Sequence, residues 1–265
     1  VMEAAVTSDE IAGDLKEKIE AGEFSYLPTS NKTLLDNAET LVKEKGFDAV
    51  LSEWRAHVES TREANDRMLG VGSNTVYDMA DVFAGRCKPI KAIYASPVSQ
   101  NVFVMPAPLS LEQLCSPQEL HRLAKGLSRY FDVVIVDCPA GVGRGFETAI
   151  AAAAEALVVC TPDMVCARDA RLLSDILAAR SIPARLIINR LRPRKIMDGS
   201  MPDIDRIIDE SALQLMGVIP EDETVAVANA NGSPLPLDCN AALCFSNIAR
   251  RFVGETVLLA PLEKM

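Results

Sequence analysis

Residues 133–145 read VVIVDCPAGVGRG, and this stretch decides the fold. Its four apolar residues lack polar alternation, which is typical of a strand covered on both faces. Such a strand would end at Asp137, where a carboxylate can hold a metal-bound water beside a phosphate, and the glycines that follow let backbone N–H groups approach an anion. The same residues also fit a tight turn in which Asp137 caps the next helix, and spacing alone does not decide between the two.

Short apolar runs alternate with helix-length segments on both sides of this stretch. The other runs are 101–105, 156–160, 185–188 and 215–219, and the helix-length segments are 117–130, 145–155, 167–179 and 201–212. This alternation predicts a doubly wound, mostly parallel α/β sheet, whose ligands bind beyond the carboxyl ends of the strands. Residues 240–254 predict one more amphipathic helix, docked on the domain, although a membrane-binding helix has the same pattern.

The first 65 residues have a different pattern. Apolar residues recur there at helical spacing among many charges, which predicts a helical segment at 1–65 and an α/β domain at 66–265. The alternative is a decayed strand, loop and helix in which Lys32 and Thr33 are relics of a phosphate-binding loop. That loop contains no glycine, so a solvated helix start explains the two residues better.

The composition argues against several classes of protein. A net charge of -10 and a pI near 4.8 disfavour nucleic-acid binding, which needs a basic patch. Seven cysteines without a C-x-x-C pair, and only two histidines, disfavour a disulfide framework or a zinc site and indicate a reduced, cytoplasmic protein. We find no signal-peptide pattern and no apolar run near the ~20 residues that cross a bilayer.

Several blocks of sequence resemble the MinD family of ATPases, which place the bacterial division site. Residues 137–150, DCPAGVGRGFETAI, are similar to the Walker B and switch II region of that family. The other similar blocks are 68–70 with 75–82, 101–108, 154–163 with 167–171, 187–193 with 199–203, and 217–225 with 231–234, in the order of the family. A single block would be weak evidence, whereas an ordered series across residues 69–256 is specific.

The resemblance implies a role for individual residues. It places Mg²⁺ beside Asp137 through a water, and the γ-phosphate near Gly141. The residues implied to border the base and ribose of ATP are Asn189, Arg190, Pro220, Glu221 and Asp222. Arg168 and Asp169 would lie on the helix face that meets a MinE-like activator, a MinC-like division inhibitor or a topological factor.

Each of these roles has a simpler structural alternative. Asn189 would also suit a turn cap, and Pro220 would also suit the end of a strand. Arg168 and Asp169 would fit an ordinary solvated helix start, where the helix dipole favours an acid. The alternatives stay open at the level of sequence.

The phosphate-binding loop of the family, GKGGVGKT, does not occur in these 265 residues, and neither does any other G-x-x-x-x-G-K-[ST] string. Its loss would remove about three or four charge-assisted hydrogen bonds to phosphate, each ~1.5–3 kcal/mol. We therefore expect a MinD-like protein of septum placement whose ATPase activity is impaired. The alternatives are a nucleotide-independent interaction protein and a truncated or chimeric relative.

Two further expectations concern assembly. The resemblance implies an ATP-dependent homodimer held to the membrane by a basic amphipathic segment at the end of the chain. Residues 261–265 fall about where that segment would start, so we do not expect membrane association.

Overall fold

The computed structural model describes residues 69–71, 75–99, 101–108, 115–138, 141–231 and 233–260. These residues belong to two compact units, one that ends at Ala152 and one that begins at Ala153. The predicted helical segment at 1–65, with Lys32 and Thr33, lies outside the described residues. The predicted domain boundary at 65/66 lies outside them as well, and it stays a prediction.

The first unit contains mainly helices. Its elements are α1 (Met79–Phe83), a 3-10 helix (Pro89–Ala92), β1 (Tyr94–Ala95), β2 (Phe103–Val104), α2 (Pro117–Leu127) and α3 (Arg144–Ala152). Helix α2 begins after Ser116, whose hydroxyl accepts a hydrogen bond from the Glu119 amide while the Glu119 carboxylate accepts one from the Ser116 amide. Helix α2 packs against α3, and both predicted helices are confirmed, although each ends three residues earlier than predicted.

The predicted strand at 133–136 is wrong. Residues 133–138 adopt no regular structure, and Val133 and Ile135 expose 48% and 87% of their surface. A strand requires a neighbouring strand whose carbonyl groups accept hydrogen bonds from its amides and whose amides donate to its carbonyl groups. No strand of the described residues pairs with this segment. The predicted strand at 101–105 is reduced to β2, which pairs antiparallel with β1 and not with the parallel sheet.

The second unit contains the parallel sheet. Its elements are β3 (Ala156–Cys160), α4 (Met164–Ala179), β4 (Ala184–Leu191), α5 (Pro193–Met197), α6 (Ile204–Ser211), β5 (Gln214–Pro220), α7 (Glu223–Asn231) and α8 (Asn240–Phe252). The strands lie in the order β3-β4-β5 and are all parallel, which confirms the predicted α/β class. The pattern did not predict α1, α5 or α7.

The core of the second unit lies between the sheet and its helices. Leu186 and Ile187 of β4 are 0% and 7% exposed, as expected for a strand covered on both faces, whereas Leu157 and Val159 leave one face of β3 exposed. Helix α4 packs on β3, β4 and α6, and α8 packs on β5. The predicted helix at 240–254 is therefore a docked helix. None of the helices in the described ranges is long and apolar enough to cross a membrane.

The contact between α8 and β5 depends on a glycine. Buried residues of both elements, Met216, Ala241 and Ile248 among them, form one apolar cluster. A Cβ atom at Gly217 would lie 2.4 Å from Cγ1 of Ile248, which is closer than two carbon atoms pack. The absence of a side chain at Gly217 therefore lets the helix lie directly on the strand.

Candidate functional site

A β-bulge interrupts the pairing of β4 and β5 near the carboxyl edge of the sheet. The two strands are in register at Ile188↔Val218 and again at Leu191↔Pro220, so Asn189 and Arg190 lie opposite the single residue between them. Arg190 has a φ of 60°, a left-handed conformation that is uncommon for a residue with a Cβ atom. Bulges occur often beside binding sites because they redirect side chains at a strand end.

A carboxylate joins two arginines at this bulge. Glu221 Oε1 accepts hydrogen bonds from Nη2 of Arg190 at 3.2 Å and from Nη2 of Arg192 at 2.9 Å, and Glu221 Oε2 accepts one from Nε of Arg192. The bond from Arg192, more than that from Arg190, lowers the pKa of Glu221 to about 2. Two guanidinium groups thus surround one carboxylate, so these three side chains together carry a net positive charge.

Asp222 connects the starts of two helices. Its Oδ1 accepts a hydrogen bond from the Thr224 amide at 2.9 Å, and its Oδ2 accepts one from the Ala241 amide at 3.3 Å. Burial acts against ionisation, but hydrogen bonds from the side chain and amide of Thr224, and from the Ala241 amide, outweigh it and lower the pKa of Asp222. The carboxylate therefore stabilises α7 and α8 as a cap, whether or not it also meets a ligand.

The structure brings five of the predicted site residues to one place. These residues are Asn189, Arg190, Pro220, Glu221 and Asp222. Asn189 Oδ1 accepts a hydrogen bond from the Arg190 amide at 3.0 Å, as in a turn cap, and the side chain is only partly buried. The carboxamide of Asn189 also has an NH₂ group, which can donate a hydrogen bond to the edge of a heteroaromatic base. Guanidinium groups such as that of Arg190 donate hydrogen bonds to phosphate or ribose oxygens.

Asp137 and Gly141 lie in the first unit. Asp137 is exposed and follows the irregular segment described above. Gly141 has a φ of 83°, so this turn before α3 favours glycine. The described residues contain no group of three or more His, Cys, Asp or Glu side chains that could hold a metal ion.

Arg168 and Asp169 lie in the second turn of α4. The helix begins after Asp163, whose Oδ1 accepts a hydrogen bond from the Cys166 amide at 2.8 Å. Both Arg168 and Asp169 are exposed, and Nε of Arg168 lies 3.5 Å from a carboxylate oxygen of Glu210 on α6. The face that carries them is accessible within this unit.

The sequence did not reveal two features of this edge. One is the role of Arg192, which belongs to a visible basic run at 190–195 but whose pairing with Glu221 depends on the bulge. The other is a pair of hydrogen bonds at Thr161, where the Cys160 thiol donates to the Thr161 carbonyl and the Thr161 amide donates to Sγ of Cys166. Both cysteines flank the turn after β3, and this position in the sequence could have indicated that both lie near Thr161.

Comparisons with known proteins agree with this fold. The chain is 34% identical over 205 residues to the septum site-determining protein MinD of Bacillus subtilis, which covers 75% of this chain and 76% of that protein. The MinC:MinD cell division protein complex of Aquifex aeolicus contains a chain that superposes with a TM-score of 0.70 at 26% identity, covering 75% of this chain and 82% of that one.

A second solved structure shares the fold. MinD of Pyrococcus horikoshii, determined in complex with Mg-ADP, gives a TM-score of 0.64 at 24% identity and covers 71% of this chain and 78% of that one. No protein-family model matches the chain. The identity to the Bacillus subtilis protein and the shared fold show that this chain belongs to the MinD family of septum site-determining proteins.

Proposed function

We propose that this chain takes part in division-site selection as a MinD-family protein that binds ATP weakly and hydrolyses it poorly. The observation that supports it best is the cluster at the bulge, where Asn189, Arg190 and Glu221 meet at the carboxyl end of two parallel strands. In an open α/β sheet this edge is where ligands bind. Family membership supports the proposed cellular role, and the chemistry of the cluster supports ATP as the ligand.

The base side of a nucleotide fits the residues present. The side-chain amide of Asn189 offers a donor toward an adenine edge, and Arg190 and Arg192 supply positive charge beside it. Glu221 would lie near the ribose, where a carboxylate accepts hydrogen bonds from hydroxyl groups. These contacts support binding of the nucleoside part.

The residues of this chain fit the phosphate groups of ATP less well than they fit its base. The sequence contains no glycine-rich loop with a lysine for the β- and γ-phosphates. Asp137, as an exposed carboxylate before a turn with a left-handed glycine, fits Mg²⁺ held through water, and Gly141 fits an approach to the γ-phosphate. A carboxylate alone does not replace the missing lysine and amides, so we propose that hydrolysis is impaired.

The partner side of the proposal rests on α4. Arg168 and Asp169 are exposed on a helix that is anchored on β3 and β4, which makes a rigid charged face. The similar Aquifex aeolicus chain was solved in a MinC:MinD complex. We propose that this face binds a MinC-like inhibitor or a MinE-like activator, that the chain forms a homodimer when nucleotide is bound, and that it acts in the cytoplasm.

Calorimetry of the purified chain with Mg-ATP at millimolar concentration tests the nucleotide proposal. We expect saturable binding with a Kd of roughly 1 mM, because most of the phosphate contacts are absent. Asn189→Ala is expected to abolish the signal, whereas Asp132→Ala, an exposed acid of the same unit as Asp137, leaves it unchanged. Micromolar binding that is lost in Asp137→Ala would show an intact phosphate site and contradict the impairment.

A binding assay with a purified MinC-like protein tests the partner proposal. Arg168→Ala and Asp169→Ala are expected to weaken the complex at least about fivefold, while Arg194→Ala, which removes a charge from exposed α5, has no effect. Equal binding by all three variants would place the partner elsewhere.

The alternative function is a nucleotide-independent interaction protein. The absence of the phosphate-binding loop favours it, together with the exposed α4 face. Retained partner binding with no detectable Mg-ATP binding by a cooperatively folded chain would favour this alternative. Loss of both, with no cooperative unfolding, would indicate a truncated or chimeric relative.

A further inference from the structure

Strand β3 has one side that no other strand of the described residues covers. It lies at the end of the order β3-β4-β5, so only its other side pairs with β4. The Ala156 amide donates to the Pro183 carbonyl at 2.9 Å, on the side of β4. Because the backbone groups of successive residues point to opposite sides of a strand, those of Leu157 and Val159 point away from β4. We call the N–H and C=O groups of these two residues the open edge.

The side chains next to the open edge are uncovered as well. Leu157 and Val159 expose 40% and 58% of their surface on one face of the sheet, whereas Val158 and Cys160 are buried on the other face. Strand β3 contains no charged residue and no proline. Edge strands usually carry such residues because they prevent pairing with another chain. The composition of β3 therefore favours pairing.

Neighbouring backbone groups already have partners. The next amide that points away from β4 is that of Thr161, and it donates to Sγ of Cys166 at 3.4 Å. The outer strand on the opposite side of the sheet is β5, where the Met216 carbonyl accepts a hydrogen bond from Nη1 of Arg251 at 2.9 Å. Side chains thus occupy backbone groups at both of these places, and the open edge remains available.

We propose that the open edge pairs antiparallel with the open edge of a second copy of this chain. Val158 lies on the twofold axis in this arrangement, and Leu157 lies opposite Val159 of the second copy. Each copy donates two backbone hydrogen bonds and accepts two, from and to the groups of the open edge. The two parallel sheets then join at β3 into one continuous sheet.

A second copy fits the open edge in its side chains and in its charges. Leu157 and Val159 form apolar cross-strand pairs, so each copy covers the exposed side chains of the other. The nearest charged residue, Glu155, is paired with Nε of Arg185 at 2.6 Å and would lie opposite Thr161 of the second copy. No like charges therefore face each other across the contact, although each chain has a net charge of -10.

The proposed dimer is weak and needs no nucleotide. Few residues of each copy take part, and the contact is smaller than the roughly 1,600 Å² of a standard stable interface. We expect a dissociation constant on the order of 100 µM. The dimer is separate from the nucleotide-dependent homodimer proposed above, so either can fail without the other.

Sedimentation equilibrium of the full chain without nucleotide tests the proposal, at concentrations from below to above this dissociation constant. The mass should rise from monomer to dimer and no further, because pairing uses up the open edge. Val159→Lys should raise the dissociation constant at least about tenfold, since it places a charge against Leu157 of the second copy. Val165→Lys is the matched control, because Val165 is 50% exposed on α4, and it should leave the constant unchanged. Circular dichroism shows whether each variant is folded.

Hydrogen exchange of the wild-type chain tests the same contact without a substitution. The amides of Leu157 and Val159 should exchange more slowly as the protein concentration rises, because they become hydrogen-bonded in the dimer. The Ala156 amide already donates to Pro183, so its exchange should change less.

Three results would overturn the proposal. The first is a wild-type chain that stays monomeric well above the expected dissociation constant. The second is a dimer of unchanged strength in folded Val159→Lys. The third is a dimer in which concentration leaves exchange at Leu157 and Val159 unchanged but slows it at 133–136, which would assign the contact to that exposed apolar run.

Discussion

Replacement of Gly217 by alanine tests the packing of α8 on the sheet. The new methyl group would lie 2.4 Å from Cγ1 and 2.9 Å from Cδ1 of Ile248, and 3.4 Å from Nη1 of Arg251. Ile248 is 7% exposed and β-branched, so its side chain has little freedom to turn away. Arg251 Nη1 also donates to the Met216 carbonyl at 2.9 Å, which holds the helix at this distance from the strand.

The expected net effect is a loss of about 1–2 kcal/mol in the free energy of unfolding. Overpacking a close-packed core costs about 1–3 kcal/mol. A glycine within a strand is itself unfavourable by about 0.5–1 kcal/mol relative to alanine, and this gain reduces the cost. The measurement is urea denaturation followed by circular dichroism, in which the midpoint should fall by roughly 0.5–1 M at an unchanged slope.

Two further variants make this prediction specific. Gly126→Ala, inside α2, places its methyl group where no atom lies within 4 Å, so it should stabilise the chain by about 0.5–1 kcal/mol. In an Ile248→Ala background, Gly217→Ala should cost almost nothing, because the clashing atoms are gone. A Gly217→Ala chain as stable as the wild type, or a cost that persists without the Ile248 side chain, would refute this account of the helix-strand contact.

Three other changes have predictable effects on stability. Glu221→Gln should lower the free energy of unfolding by about 0.5–1 kcal/mol at pH 7, a small effect because the ion pair is partly solvated. Since folding lowers the pKa of Glu221, the difference in stability between the two chains is present above the ordinary pKa near 4.5 and disappears as the pH falls toward about 2. Urea titrations at several pH values measure this difference. Asp222→Ala should cost about 1–2 kcal/mol in thermal unfolding, and exposed Asp209→Ala close to nothing. Asp163→Ala should cost about 1 kcal/mol and speed hydrogen exchange at the Cys166 amide, and unchanged exchange would argue against this cap.

The sequence predicted the second unit better than the first. The runs at 156–160, 185–188 and 215–219 all became parallel strands, because each has a paired neighbour and a helix covering it. The run at 133–136 is equally apolar but has no paired strand in the described part of the chain, and Val133 and Ile135 remain exposed. Apolar composition therefore indicates what a segment can bury, whereas its strand state depends on a partner far away in the sequence.

The candidate site was predictable in position but not in detail. The alternation of strands and helices placed Asn189, Pro220 and Glu221 at one edge of the sheet, and the structure confirms that these residues are neighbours. The pairing of Arg192 with Glu221 was not predictable, because it requires the bulge at Asn189–Arg190, which alters the register by one residue.

Asp222 shows why the fold and the proposed ligand site must be tested with different residues. The resemblance assigns Asp222 to the nucleotide, but its two oxygens already accept hydrogen bonds from the amides of Thr224 and Ala241. Removal of this carboxylate would loosen α7 and α8 before it changed any contact with a base, so a loss of binding in that variant would have two explanations. Asn189 gives a cleaner test, because its one described hydrogen bond is to the adjacent Arg190 amide and holds no helix in place. A selective loss of binding in Asn189→Ala, with unfolding unchanged, would therefore assign this edge of the sheet to the nucleotide.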